Sequence, residues 1–299
     1  MAKQDLNGKV VVITGASSGF GKGAARKFAQ EGASLVLAAR RKHLLEELAE
    51  ECRSMGCEAI AVETDVSDAS AVEALAAAAI GEFGRIDVWV NNAGVGAIGK
   101  FEDIPLTDQA QVIETNLLGT LYGSYHAYRQ FIRQGSGILI NIGSELSRES
   151  AAFYTAYTAS KHGIIGLCEA LRQEVKQAKH EDIHICAIMP TAHDTPFFDH
   201  VANYSGHEIQ PPKPLHDPEN VADAIVAAAQ NPSDEGVVGW DGPLKLAIKR
   251  LVPGAMDALA SRSIRKTQME EPPAAPNFGG AVRAPINQGT ELSAGRRQH

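Results

Sequence analysis

Tyr157 and Lys161 stand four residues apart in the run Tyr-Thr-Ala-Ser-Lys. On a helix this spacing puts a phenol and an ammonium on one face, one above the other. The ammonium favours phenolate and draws the phenol toward the pH at which it can exchange protons. The same spacing also occurs on solvated helix faces, so the pair is only a pointer until the rest of the chain positions it. Tyr154 lies on nearly the same face but has Thr158, not a lysine, four residues on. It is therefore assigned to the pocket wall or the core.

A second stretch with chemistry in it is Thr14-Gly-Ala-Ser-Ser-Gly-Phe-Gly21, which follows Val-Val-Val-Ile and opens a helical pattern. Glycines there allow a tight turn and bring backbone N–H groups and a helix N-terminus up to a pyrophosphate. The spacing is Gly-x-x-x-Gly-x-Gly, not the general Gly-x-Gly-x-x-Gly fingerprint.

The elements that must hold these residues follow the rhythm of a parallel sheet flanked by helices. Strands are expected over 9–14, 33–39, 58–62, 86–90, 137–142, 183–188 and 237–240. Helices are expected over 19–31, 42–55, 67–82, 107–134 as one long element, 154–179 and 219–230. The segment 190–218 is rich in Pro and His without a clear period and reads as a loop with short helices. Residues 244–265 set Leu246, Ile248, Leu251 and Val252 against Lys245, Lys249 and Arg250. Such an amphipathic basic helix covers its own or a neighbouring subunit's apolar surface, or lies on a membrane surface. From about 271 the composition turns to Pro, Ala, Gly, Asn and Arg, and a tail that cannot order itself is expected.

Bulk properties narrow the class. The 299 residues are 44% hydrophobic and carry 28 Lys+Arg against 36 Asp+Glu, a net charge of −8. That field repels nucleic acid and anionic membrane. Cys52, Cys57, Cys168 and Cys186 fit no ligand-like spacing, and they read as reduced thiols. No apolar leader and no run of membrane-spanning length is present in the sequence, so a cytoplasmic protein is expected. His193, His200 and His207 are not at metal-ligand spacing and are treated as surface or lid residues, with no metal expected.

With the glycine loop, Asn91-Asn-Ala-Gly94 and Tyr157-x-x-x-Lys161 in that order, residues 5–240 resemble the short-chain dehydrogenase/reductase family. The resemblance implies an α/β, Rossmann-like, doubly wound sheet of about seven parallel strands in a single domain, with the cofactor across the carboxyl ends of the strands. The domain is placed at 1–243 with a substrate lid at about 190–218, a helical extension at 244–270 and a disordered tail at 271–299. A nicotinamide dinucleotide would then be held by Gly15, Ser17, Ser18, Gly19, Phe20 and Gly21. Further along the chain its contacts would be Asp65, Val66, Asn92, Ala93, Gly94, Pro190 and Thr195, together with Tyr157 and Lys161. Asp65 could equally be a helix N-terminal cap. The family's Pro-Gly-x-x-x-Thr reads Pro190-Thr191 here, and Thr191 would be strained if that backbone needs positive φ.

By the same resemblance Tyr157 exchanges the proton, Lys161 lowers its pKa and holds the nicotinamide ribose, Ser144 binds the substrate oxygen, and Asn116 anchors a water in the proton path. The end of the second strand, Ala38-Ala39-Arg40-Arg41, offers no carboxylate for a free ribose 2′-hydroxyl. Arg40, with Arg41 beside it, offers a fork suited to a 2′-phosphate, so NADP(H) is expected over NAD(H). Leu146, Phe197, Phe198 and Tyr204, beside Ser144, suggest a moderately hydrophobic ketone, aldehyde or secondary alcohol as substrate. The leading reading is an NADP(H)-dependent carbonyl reductase or alcohol dehydrogenase working as a homodimer or homotetramer. A regulatory or scaffold protein, or an isomerase or dehydratase, on the same fold are the alternatives.

Overall fold

The computed structural model describes residues 3–239, 262 and 264–297. The strands are β1 (Val10–Thr14), β2 (Ser34–Ala39), β3 (Ala59–Glu63), β4 (Val88–Asn91), β5 (Ala97–Gly99), β6 (Gly137–Ile142), β7 (Ile183–Pro190), β8 (Ala202–Tyr204) and β9 (Glu235–Val238). Seven of them form one parallel sheet in the order β3-β2-β1-β4-β6-β7-β9. From β1 the chain builds outward to β3, then returns to β4 on the other side of β1 and builds the opposite way. This reversal is the switch point beyond whose strand ends a ligand crevice forms.

The sheet is buried on both faces, which is why its central strands read as unbroken apolar runs. Val11, Ile13, Leu35, Leu37 and Val90 face one layer with α1 (Gly19–Gln30), α2 (Lys42–Ser54) and α8 (Glu219–Gln230). Val10, Val12, Val36, Trp89 and Leu139 face the other layer, packed against α3 (Ala69–Phe83), α5 (Gly119–Gln134) and α6 (Thr155–Ala178).

The predicted single helix over 107–134 is three pieces. They are α4 (Leu106–Ile113), a π-helical turn (Glu114–Leu118) and α5. Such wider turns inside an α-helix are frequent at functional sites, and this one contains Asn116. The strands β5 and β8 have no counterpart among the expected elements; three residues each, they are too short for an alternating pattern to register. They pair with one another in parallel, Ala97 with Ala202 and Gly99 with Tyr204. The lid region also holds a single helical turn, α7 (Phe197–His200). Residues 240–261 and 263, including Trp240 at the predicted end of the last strand and most of the amphipathic extension, lie outside the described residues.

The expectation of an unordered tail from 271 differs from the structure. Residues 271–297 lie against the lid, with bridges between Asn203 and Phe278 and between His207 and Ala274, and with Ala281 and Val282 buried. Composition warned only that this segment has little apolar area of its own. It is ordered by backbone hydrogen bonds and ion pairs to groups the domain already presents, such as Ala281 N–H donating to His200 O at 2.7 Å.

Candidate active site

The turn after β1 is held by close approach. A Cβ on Gly15 would lie 2.8 Å from Ala93 Cα, and one on Gly21 would lie 2.6 Å from Asn92 Nδ2. Asn92 Nδ2 itself donates to Thr14 O at 2.9 Å and Gly15 O at 3.2 Å, tying the end of β4 to the loop. Ser18 is extended and makes no side-chain cap on α1. No side-chain oxygen caps the first turn of α1; Gly19 N–H donates to Glu291 O at 2.9 Å, and the backbone N–H groups that follow it are left to face an anion. The loop opens on a cavity of about 1180 Å³ that runs along the strand ends. Its walls include Gly15, Ser17, Ser18, Gly19 and Phe20, then Asn92, Ala93 and Gly94, then Pro190 and Thr195. A glycine-tight turn, a helix start with no side-chain cap and a cleft of this size fit a nicotinamide dinucleotide.

At the far end the cavity is walled by Arg40, Arg41, Asp65 and Val66. The two arginines are not equivalent. Arg41 is buried and donates from Nε to Ser17 Oγ and from Nη2 to Ser17 Oγ and Ser18 Oγ. Its Nη1 donates to Ile286 O at 3.2 Å and Gln288 O at 3.4 Å, which occupies all five N–H groups of the guanidinium. Arg40 has one described bond, from Nη2 to Ala281 O at 2.6 Å, and keeps its other donors available. Burial lowers the pKa of Arg40, and the nearby Asp65 carboxylate opposes that. Asp65 Oδ1 accepts from Ser67 N–H at 3.0 Å and Ser67 Oγ at 2.7 Å, while the cap of α3 is Asp68. Asp65 therefore closes a turn ahead of the helix rather than capping it.

Tyr157 and Lys161 both lie on α6, with Lys161 Nζ 5.6 Å from the centre of the Tyr157 ring. Lys161 is buried and donates to Ile142 O, at the end of β6, at 2.8 Å. Ser144, two residues beyond that strand, starts a short 3₁₀ turn (Glu145–Ser147), and its Oγ accepts from Leu146 N–H at 3.2 Å. The Ser144 hydroxyl lies near enough to the Tyr157 phenol to favour its ionised form. Burial pushes Tyr157 up to about 12, with Ser144 opposing the rise and Glu145 adding to it. The spacing had led to the opposite expectation, a phenol lowered by its lysine. Burial sets the direction instead, and it also brings Lys161 down to about 8. At neutral pH the phenol holds its proton and the ammonium is largely charged.

Asn116 is fully buried in the π turn. Its Oδ1 accepts from Val95 N–H at 2.8 Å, and its Nδ2 donates to Val95 O at 2.9 Å and to Ser160 Oγ at 3.0 Å. Ser160 Oγ in turn donates to Tyr157 O at 2.7 Å. The side chain thus ties the loop after β4 to the helix that carries the tyrosine. Ser160 and Val95 were missed in the sequence, since a serine inside a helix carries no signal of its own.

Leu146, Phe197 and Phe198 line the cavity beside Tyr157, and the Phe197 ring lies 5.5 Å from the tyrosine ring. Tyr204, expected among them, is placed elsewhere. It belongs to β8 and its hydroxyl donates to the Asp108 carboxylate, away from the cavity walls. The short parallel pairing with β5, invisible in the sequence, fixes it there. Tyr154 does line the cavity, with a fully enclosed hydroxyl that has no hydrogen-bond partner, and burial raises its pKa strongly.

Thr191 does not have positive φ, and its N–H and Oγ1 both donate to Val238 O. The backbone strain considered there is absent. Positive φ falls instead on Phe153, at 69°, in the loop leading into α6. His193 is not on the surface: it is buried, edge-on to Phe20 and beside His216, with Nδ1 2.9 Å from Thr191 O. The lid turns inward at that point, where His193 and His216 bridge in parallel. Among the described residues no group of three His, Cys, Asp or Glu side chains is placed to hold a metal.

A doubly wound sheet with a glycine-tight anion turn at its switch point and a Ser–Tyr–Lys cluster at its strand ends defines a nucleotide-dependent α/β protein. The family model described as short chain dehydrogenase matches residues 9–204. The chain is 34% identical to an uncharacterized oxidoreductase, YxnA, of Bacillus subtilis, over 93% of this chain and 78% of that one. A short-chain dehydrogenase/reductase from Burkholderia phymatum, solved in complex with NAD, superposes with TM-score 0.74 at 28% identity, covering 86% of this chain and 96% of its own. An alcohol dehydrogenase from Thermococcus sibiricus, solved with 5-hydroxy-NADP, superposes with TM-score 0.66 at 29% identity, covering 77% of this chain and 95% of its own. The protein belongs to the short-chain dehydrogenase/reductase family, a family that binds a nicotinamide cofactor, and is an oxidoreductase. No helix among the described residues is long and apolar enough to cross a membrane.

Proposed function

We propose that this oxidoreductase interconverts a moderately hydrophobic ketone or aldehyde and its alcohol, with NADP(H) in preference to NAD(H). The observation that carries the reaction type is the Ser144–Tyr157–Lys161 cluster opening on the cavity between the anion turn and Phe197. The nicotinamide, when bound, supplies or accepts the hydride. Ser144 Oγ and the Tyr157 hydroxyl receive the substrate oxygen, and Tyr157 gives it a proton in the reducing direction. A phenol held near 12 is protonated at neutral pH, which suits it to be the donor. Lys161 compensates the charge that develops on the phenol as its proton leaves. Asn116 acts as a positioning residue through Val95 and Ser160.

The cofactor preference rests on Arg40, whose free donors face the same cavity as Asp65 and Val66. Leu146, Phe197 and Phe198 make the apolar side of the substrate site. Leu121, Tyr125 and Ile132 leave apolar atoms of α5 exposed, which supports a homodimer or homotetramer built through the helices of 106–134 and α6; a cytoplasmic location belongs to the same proposal. NADPH oxidation against a panel of aldehydes and ketones, beside calorimetric titration of NADPH and NADH alone, tests the reading. Turnover with an apolar carbonyl is the expected result. Tight NADPH binding with no consumption by any carbonyl would favour a regulatory role or an isomerase.

A further inference from the structure

The segment 271–297 is laid across the cofactor cleft, and its contacts fall on the groups that define the cleft. Ala281, Pro285 and Ile286 line the cavity beside Arg40 and Arg41. Glu291 O accepts from Gly19 N–H, the first residue of α1, at 2.9 Å. Lys22 Nζ, one turn further on, donates to Thr290 O and pairs with Glu291, both at 3.1 Å. The segment is anchored on both sides of this crossing. Arg283 pairs with the buried Asp108, its Nε donating to Oδ1 at 2.6 Å. Beyond the crossing, Asp194 Oδ2 accepts from Ser293 Oγ at 2.9 Å and Arg296 N–H at 2.8 Å, and Arg296 pairs with Asp199.

We propose that residues 271–297 are a strap that completes the adenosine side of the dinucleotide site, so that the cofactor is held beneath it and leaves only when the strap lifts. This rests on the nicotinamide-dependent reading above. Two features separate a strap from a plug. The cavity of about 1180 Å³ remains open beneath the segment, from the anion turn to Tyr157. And the clasp uses Arg41, whose five N–H groups are shared between Ser17, Ser18 and the strap carbonyls of Ile286 and Gln288, while Arg40 beside it keeps donors for the cofactor. One arginine therefore latches the strap to the phosphate turn, and its neighbour is left to read the ribose. A closure of this kind acts mainly on the rate of release.

The experiment is stopped-flow displacement of NADPH from the full chain and from two full-length variants, with hydrogen exchange over 272–297 as a second readout. Arg283→Ala combined with Arg296→Ala removes the side-chain ion pair on each side of the crossing and so loosens both anchors. Gly280→Val places a side chain against His200 O and the Val201 backbone at a residue with φ of +56°, and so pushes the strap off. The expected result is that NADPH slows exchange across 272–297 in the parent chain and that either variant releases NADPH ~10-fold faster, with a smaller change in the association rate. An unchanged release rate in a variant whose strap exchanges faster would overturn the strap. So would slower release, which would mean that the segment competes with the dinucleotide. A parent chain that binds neither NADPH nor NADH by calorimetry would instead overturn the reading on which the strap rests.

Discussion

The two ends of the cavity are built on different principles. At the nicotinamide end, Tyr157, Lys161, Ser144 and Asn116 come from one helix, the end of β6 and a π turn, all within the body of the domain. Their positions are over-determined by sheet and helix packing, and the buried Lys161 and Asn116 are both bonded to backbone. At the adenosine end, Arg40 and Arg41 follow an edge-side strand, and the wall facing them is supplied from about 240 residues away by a segment with little core of its own. The difference separates chemistry from retention. Groups that must hold sub-ångström geometry sit on rigid elements, and groups that must let a ligand in and out sit where the chain can open.

The largest effect should come from the rigid end. Tyr157→Phe removes the proton donor while leaving the ring against Phe197, so turnover should fall roughly 10²- to 10⁴-fold with NADPH affinity largely retained. Steady-state kinetics with parallel calorimetry checks this; turnover within a few-fold of the parent would dismiss Tyr157 as the donor. The adenosine end should respond in affinity rather than in rate. Arg40→Asp removes the fork with free donors and adds a carboxylate, and should shift the NADPH:NADH ratio of kcat/KM by roughly 10- to 100-fold toward NADH. A ratio that does not move would assign the preference elsewhere.

Much of the rigid end was legible because its signals are local. Glycine spacing, an i, i+4 tyrosine and lysine, and strand rhythm are each set within a few residues, and the family resemblance they carry implied the doubly wound sheet, though not its strand order. Asn116 was legible by register, but the π turn that aims it was not, because a five-residue change of helix type leaves the apolar pattern of 107–134 intact. The adenosine end was half legible. The arginines could be read from charge, whereas the ordering of 271–297 depends on partners such as Asp108, Asp194 and Gly19 that are remote in sequence. Tyr204 was misplaced for a related reason: the pairing of β8 with β5 spans about a hundred residues and only three positions.

A smaller effect at the nicotinamide end should appear as a pH profile. Lys161 is lowered to about 8, so its ammonium is present below that pH and lost above it, while Tyr157, near 12, stays protonated through the same range. In the reducing direction kcat/KM should therefore be flat near neutrality and fall as pH rises through about 8. Lys161→Arg, always charged, should flatten that limb even where it lowers the plateau. A parent profile that stays level up to pH 10 would show that the Lys161 charge is not required.

The smallest effect tests where the substrate wall ends. Tyr204 and Phe197 are both aromatic residues of the lid, but Phe197 lines the cavity and Tyr204 is spent on Asp108. Tyr204→Phe removes one hydrogen bond to a carboxylate that keeps its pairing with Arg283, and should cost about 1 kcal/mol of stability with carbonyl KM unchanged. Phe197→Ala opens the wall beside Tyr157 and should raise KM for an apolar carbonyl several-fold with little change for a small aldehyde. Thermal unfolding and KM measured on both variants separate the two roles. A KM shift in Tyr204→Phe matching that of Phe197→Ala would extend the substrate site across β8, and would make the anchor of Arg283 at Asp108 part of substrate binding rather than of the strap alone.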